Sequence, residues 1–169
     1  SLVRMLGLSL LTASGCVLPP SLSVDTSDGG VNSPPAITAV RSDDQELPEP
    51  GPVNFETGIN AGTMSISLID TDVEDNLIVR LFVNYTVAKP TSPRSECESA
   101  PTGTTMRTAT CTLRALCLES EVDNTTPLFL TVQVFDRKPD DLQTPAFKAM
   151  PEGGLTTSRS YLLNCQRPS

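Results

Sequence analysis

Leu77–Tyr85 reads LIVRLFVNY, and on this stretch the fold turns. Leu77, Val79, Leu81, Val83 and Tyr85 fall on one face, and Ile78, Arg80, Phe82 and Asn84 fall on the other. A period of two belongs to a β-strand, whose successive side chains point to opposite faces of a sheet. Two more stretches repeat it. Leu128–Phe135 (LFLTVQVF) sets Leu128, Leu130, Val132 and Val134 against Phe129, Thr131, Gln133 and Phe135, and Thr63–Ile69 (TMSISLI) alternates Met64, Ile66 and Leu68 with Ser65 and Ser67. All three are expected to be half-buried antiparallel strands. Ala36–Arg41, Pro52–Thr57, Met106–Leu118 and Ser158–Cys165 carry a fainter version of the pattern. Turn clusters such as ELPEPGP, INAG, KPTSP and PEGG separate them. No stretch keeps a helical period with caps. Seven short strands within residues 36–167 therefore predict an all-β, two-sheet antiparallel sandwich.

The 169 residues carry 20 acidic and 12 basic side chains, a net charge of -8, and the basic ones are scattered. Neutralising phosphates takes a basic stripe, so nucleic acid is not an expected partner. His is absent, which removes Ser/His/Asp and Cys/His catalysis. With aromatics at 4% and no Trp, the core must be aliphatic and β-branched, and few rings remain for stacking on sugars.

The N-terminal segment has a different character. Arg4 precedes the apolar run Met5–Leu11 (MLGLSLL), and the small residues Thr12, Ala13, Ser14 and Gly15 lead into Cys16. Charged end, short apolar core and small-residue cleavage region are the order of a secretory signal. The apolar run is far short of the ~20 residues a spanning helix needs. Leu11–Cys16 resembles a bacterial lipobox, with Ala13 where that pattern more often has Leu. The resemblance implies that residues 1–15 are a lipoprotein signal peptide and that Cys16 receives a diacylglyceryl group, anchoring the exported chain to the bacterial cell membrane or outer membrane. Each buried CH₂ contributes ~0.8 kcal/mol, so several acyl chains on one residue hold a protein firmly. The competing reading is an ordinary secretory signal with a chance cysteine. A mature chain starting at Cys16 carries 11 basic and 20 acidic residues, a net charge of -9. Val17–Pro35 (VLPPSLSVDTSDGGVNSPP) has few large apolar residues, so residues 16–35 are expected to be a disordered tether.

Removing Cys16 from five cysteines leaves four, an even number for an oxidising compartment. Four cysteines allow three pairings, and spacing alone does not choose. LIDTDVEDNLIVRLFVNY followed by LTVQVFDRKPDD resembles immunoglobulin-like and cadherin-like bacterial surface domains, in which an acidic turn joins two strands and a later strand ends in an Asp-containing loop. That resemblance implies a fold, not a ligand. In such a sandwich the last strand ends beside the start of the strand before it, and a short link brings the end of the preceding strand there too. Cys117 and Cys165 then become neighbours, which leaves Cys97 for Cys111, bracing a Ser/Thr/Pro-rich excursion. The rival reading, a zinc site, has no His and no C-x-x-C to draw on.

The turn Asp70-Thr71-Asp72-Val73-Glu74-Asp75-Asn76 gathers hard carboxylate oxygens of the kind calcium takes. As an EF-hand loop it fails, because its sixth position is Asp75 rather than Gly and its twelfth is Leu81 rather than Glu. In a sandwich, however, this turn and the loop after Leu128–Phe135 share an end. Asp70, Asp72, Glu74, Asp75, Asp136 and Asp140, with Asp141 beside them, are therefore a candidate calcium site. The competing reading is a solvated, Asx-rich turn. Asn84-Tyr85-Thr86 and Asn124-Thr125-Thr126 match an acceptor pattern by chance if the lipobox is bacterial. No acid sits alone in an apolar surround as a general acid would, so no catalytic residue is assigned and no cofactor beyond that calcium. The expected function is an envelope-anchored lipoprotein presenting the sandwich as a binding or structural module, with the membrane as one partner and an envelope protein as another. The alternatives are an accessory subunit of an envelope assembly and a carboxylate-dependent hydrolase.

Overall fold

A computed structural model describes residues 31–58, 61–122 and 124–168. The leader, Cys16 and the tether as far as residue 30 lie outside the described residues. Among the described residues, nine strands form two sheets: β1 (Ala36–Ser42), β2 (Gln45–Glu46), β3 (Val53–Glu56), β4 (Thr63–Ile69), β5 (Leu77–Val83), β6 (Ser95–Ser99), β7 (Met106–Thr112), β8 (Leu128–Phe135) and β9 (Thr156–Gln166). One sheet runs β2-β1-β4-β7 and the other β3-β9-β8-β5-β6. With β1, β4 and β7 facing β9, β8 and β5, the strand order is that of an immunoglobulin-like sandwich. The only helical element among the described residues is a short 3₁₀ turn, Glu119–Glu121.

The inward rows follow the two-residue period. Met64, Ile66 and Leu68 of β4 meet Leu77, Val79, Leu81 and Val83 of β5 and Leu128, Leu130, Val132 and Val134 of β8, all within one buried cluster. Leu113 and Leu116, beyond the end of β7, close that core at one end. The large area these aliphatic rows remove from water is the main favourable term in folding.

Five expectations need correction. The sandwich is not wholly antiparallel, because β3 pairs parallel with β9, Val53 opposite Leu163. After β2 the chain crosses to the second sheet and re-enters in the direction of β9. Gly51 makes this crossing possible: its φ is +110, and a Cβ there would lie 2.8 Å from the Leu162 carbonyl oxygen. Ser95–Ser99, within what reads as an excursion, is a true strand that pairs with β5, Cys97 opposite Val79. Met106–Leu118 is strand only as far as Thr112. Asn84 has a positive φ of 53, which ends β5 at Val83 and turns Tyr85 to the outer face, beside Phe82. Finally, β5 is buried on both faces rather than half-buried. The chain between β8 and β9 lies across its outer side, so that Ile78, Phe82 and Phe135 form a second small core with Tyr85, Phe147 and Met150.

Both disulfides form as the topology argument expects. Cys97 of β6 joins Cys111 of β7 with Cα atoms 5.1 Å apart, and Cys117 joins Cys165 of β9 at 5.5 Å. The first ties the two sheets together along one side. The second fastens the link after β7 to the end of β9, where Val122 also bridges to Cys165.

Candidate functional site

The acidic turn between β4 and β5, the entering chain and the start of the β8–β9 connection meet at one end of the sandwich. Asp70 is the centre of this end. Its side chain and that of Arg107 are both fully buried, and Arg107 Nη2 lies 3.0 Å from Asp70 Oδ2. Arg107 also donates to the Asp75 carbonyl oxygen and, at 3.4 Å, to that of Asp72. The other Asp70 oxygen accepts the Asp72 N–H at 3.0 Å, a local Asx turn. A guanidinium thus stands among three turn residues and satisfies two carbonyls as well as a carboxylate. Burial pushes the Asp70 carboxyl above its ordinary range, with the Asp72 N–H and then Arg107 pulling the other way.

Each neighbouring carboxylate has its own partners. Asp72 Oδ2 accepts the Ser33 N–H at 2.7 Å. Asp136, itself buried, accepts the Leu155 N–H at 2.9 Å and a hydrogen bond from the Asn32 amide. Asn32 also donates to the Gly153 carbonyl at 2.7 Å. The last residues of the expected tether are therefore not loose. Asn32 and Ser33 clip the entering chain to both acidic loops.

Asp75 differs from the rest. Its Oδ2 is buried with no hydrogen-bond partner, and burial first, then the charges of Asp70, Asp136 and Asp72, push its carboxyl above the ordinary range. A raised folded-state pKa means that the native chain keeps a proton the unfolded chain has released, so this group's contribution falls as pH rises through that folded-state pKa. Asp75→Asn is expected to raise the melting temperature at neutral pH by a few degrees and to lose that advantage as pH falls below the ordinary carboxylate range, where Asp75 is protonated in the folded and the unfolded chain alike. Thermal unfolding of the two proteins across this pH range checks it; an equal gain at every pH would show that charge is not the cause.

The calcium candidates are only partly brought together. Asp70, Asp72, Asp75 and Asp136 are close enough for their charges to act on one another, whereas Glu74 is exposed on the rim of a neighbouring cleft. Asp140 and Asp141 are carried off by the β8–β9 connection. Asp140 Oδ1 accepts the Leu142 N–H at 2.9 Å, and Asp141 pairs with Arg80 at 2.6 Å. Among the described residues, no group of three or more carboxylates or cysteines is arranged as a metal's ligand set. Here the cation beside Asp70 is Arg107.

Arg80 anchors the second feature that periodicity did not show. It is 2% exposed at the middle of β5, where its Nε meets Glu96 at 2.6 Å and its Nη1 meets Asp141 and the Phe147 carbonyl, each at 2.6 Å. Close by, Lys148 Nζ lies 4.4 Å from the centre of the Phe82 ring and 4.1 Å from that of Tyr85. Tyr85 donates to the Ala146 carbonyl at 2.7 Å. Burial holds the Lys148 ammonium below its ordinary range and the Tyr85 phenol above. Together these contacts strap residues 140–150 onto the outer face of the sheet. The signal was present in the sequence: Ile78, Phe82 and Phe135 are apolar residues in rows read as solvent-facing, and apolar residues on both faces mean a strand covered twice.

Two open clefts flank these features. One, of about 410 Å³, runs past Glu74, Asp75, Glu96 and Glu98 toward Arg137 and Lys138. The other, of about 670 Å³, lies where β2 and β3 leave the sheets apart, over Leu47, Val53 and Phe55. Neither surrounds the buried Asp70–Arg107 pair. No protein family model, no characterised protein and no solved structure matches the chain.

Proposed function

We propose that the chain is an exported lipoprotein, fixed to a bacterial envelope membrane through lipid on Cys16, whose sandwich acts as a binding or structural module there. The observation that carries this reading is the pairing of Cys97 with Cys111 and of Cys117 with Cys165. Paired cysteines belong to an oxidising compartment, and these two pairs account for four of the five cysteines, the fifth being Cys16, directly after a leader-like segment. Asn32 and Ser33 add a mechanical argument. A chain tethered from its N-terminus transmits any pull through the point where it enters the domain, and here that point is clipped to two separate loops.

Replacing Cys16 tests the anchor. In a bacterial host, the wild-type chain is expected in the membrane fraction with acyl mass on the peptide beginning at Cys16, and Cys16→Ser is expected to lose both. Wild-type protein recovered without acyl mass would overturn the reading. The module's partner would be sought by crosslinking in intact envelopes.

A further inference from the structure

Building on the binding role proposed above, we infer that the outer face of β5 is a docking face for an extended peptide. Residues 140–150, the strap laid across it, are its built-in occupant. They give way to a partner segment that carries an acid, an aromatic and a base in that order.

What sits on the face shows what fits it. Two successive peptide carbonyls are taken by fixed donors: the Tyr85 hydroxyl donates to Ala146 at 2.7 Å and Arg80 to Phe147 at 2.6 Å. Side chains are read beside them. Arg80 holds the Asp141 carboxylate at 2.6 Å, Phe147 packs against the cluster of Ile78, Phe82 and Phe135, and the Lys148 ammonium lies over the Phe82 and Tyr85 rings. Main-chain hydrogen bonds with places for chosen side chains are the mark of peptide recognition. When the strap lifts, Glu96 stays with Arg80, and the side of the guanidinium that met Asp141 is left for a new carboxylate.

The strap fits this face imperfectly. Gln133 stands opposite Arg80 in register, is 9% exposed, and its Oε1 has no hydrogen-bond partner. A buried acceptor left unpaired is costly, so a segment that donates to it gains over the strap. Phe147 also holds a positive φ of 65, a left-handed conformation unfavourable for a bulky side chain, which lifting relieves. The main core takes no part. No residue of 140–150 belongs to the cluster between the sheets, and the strap packs on the small second core alone. A segment with so few buried contacts opens without global unfolding.

The sequence supplies a probe of opening. Lys148–Ala149 is the chain's one lysyl bond that does not lead into proline, since Lys89 and Lys138 precede Pro90 and Pro139. On the full chain with Cys16→Ser, free of lipid, a lysine-specific endoprotease is expected to cut there under native conditions. The rate should stay flat through low urea, with the pieces still joined by Cys117–Cys165. Asp141→Ala should speed the cut about tenfold by removing a charge-assisted bond from the closed state, again at a rate flat in low urea. A synthetic peptide with the sequence of residues 140–150, arginine replacing its lysine, should occupy the opened face. It should raise the rate in proportion to its concentration, to at least about fivefold, whereas the same peptide with asparagine at its second position should not. Cleavage that follows global unfolding, a peptide without effect, or an asparagine peptide equally active would each overturn the proposal. So would a rate that climbs with the chain's own concentration, which would make a second copy's strap the occupant. Because this chain carries no lipid, each of these failures is separate from a failure of the anchor on Cys16.

Discussion

Arg107→Met is expected to cost about 3–5 kcal/mol of folding stability, the range for removing one partner from a buried ion pair. The substitution keeps the length of the side chain and much of its apolar packing. It leaves Asp70 buried without its cation, and it strips a donor from the carbonyls of Asp72 and Asp75. Because Asp70 would then hold its proton to still higher pH, the variant should recover part of the loss as pH falls toward the ordinary carboxylate range. The double variant Arg107→Met with Asp70→Leu should recover more, since an apolar pair often replaces a buried ion pair at little cost. Urea unfolding of the three proteins measures this. A loss under about 1 kcal/mol for Arg107→Met would mean that Asp70 finds another partner, and the account of the acidic end would fail.

Removing the Cys117–Cys165 disulfide is expected to have an effect of similar size. Its cysteines are 48 residues apart, against 14 for Cys97 and Cys111. In the chain-entropy model the longer loop contributes about 4 kcal/mol and the shorter about 3. Position strengthens the ranking. The longer link holds the end of β9, against which β3 pairs, so its loss frees both strands and the crossing that leads into Val53. Cys117→Ala with Cys165→Ala should therefore unfold at lower urea concentration than Cys97→Ala with Cys111→Ala. The reverse order would show that tying β6 to β7 matters more than closing the longer loop.

Much of the fold was legible along the chain. Met64, Ile66 and Leu68, and Leu128 to Val134 by twos, are inward because a strand's period permits nothing else once one face must leave water. The disulfide pairing followed from strand order, since an antiparallel return fixes which ends are neighbours. Arg107 could have been found as well. It lies in the row of Ala109 and Cys111, and a charge in a buried row needs a counter-charge, which the acidic turn supplies. Tyr85 could not be placed by period, because a left-handed Asn84 reverses the alternation one residue earlier.

The sequence by itself determined the class of the fold and most of the inward rows, because side-chain alternation is a local constraint read along one chain, and the pairs of cysteines followed once a sandwich topology was laid on those strands. Tertiary structure alone decided what covers the outer face of β5, and which aspartates meet Arg107 and which go to Arg80. These depend on where a long connection comes to rest on a surface. Many paths across that surface have similar backbone cost, and only the sum of burial, ion pairing and ring contacts made on arrival selects among them.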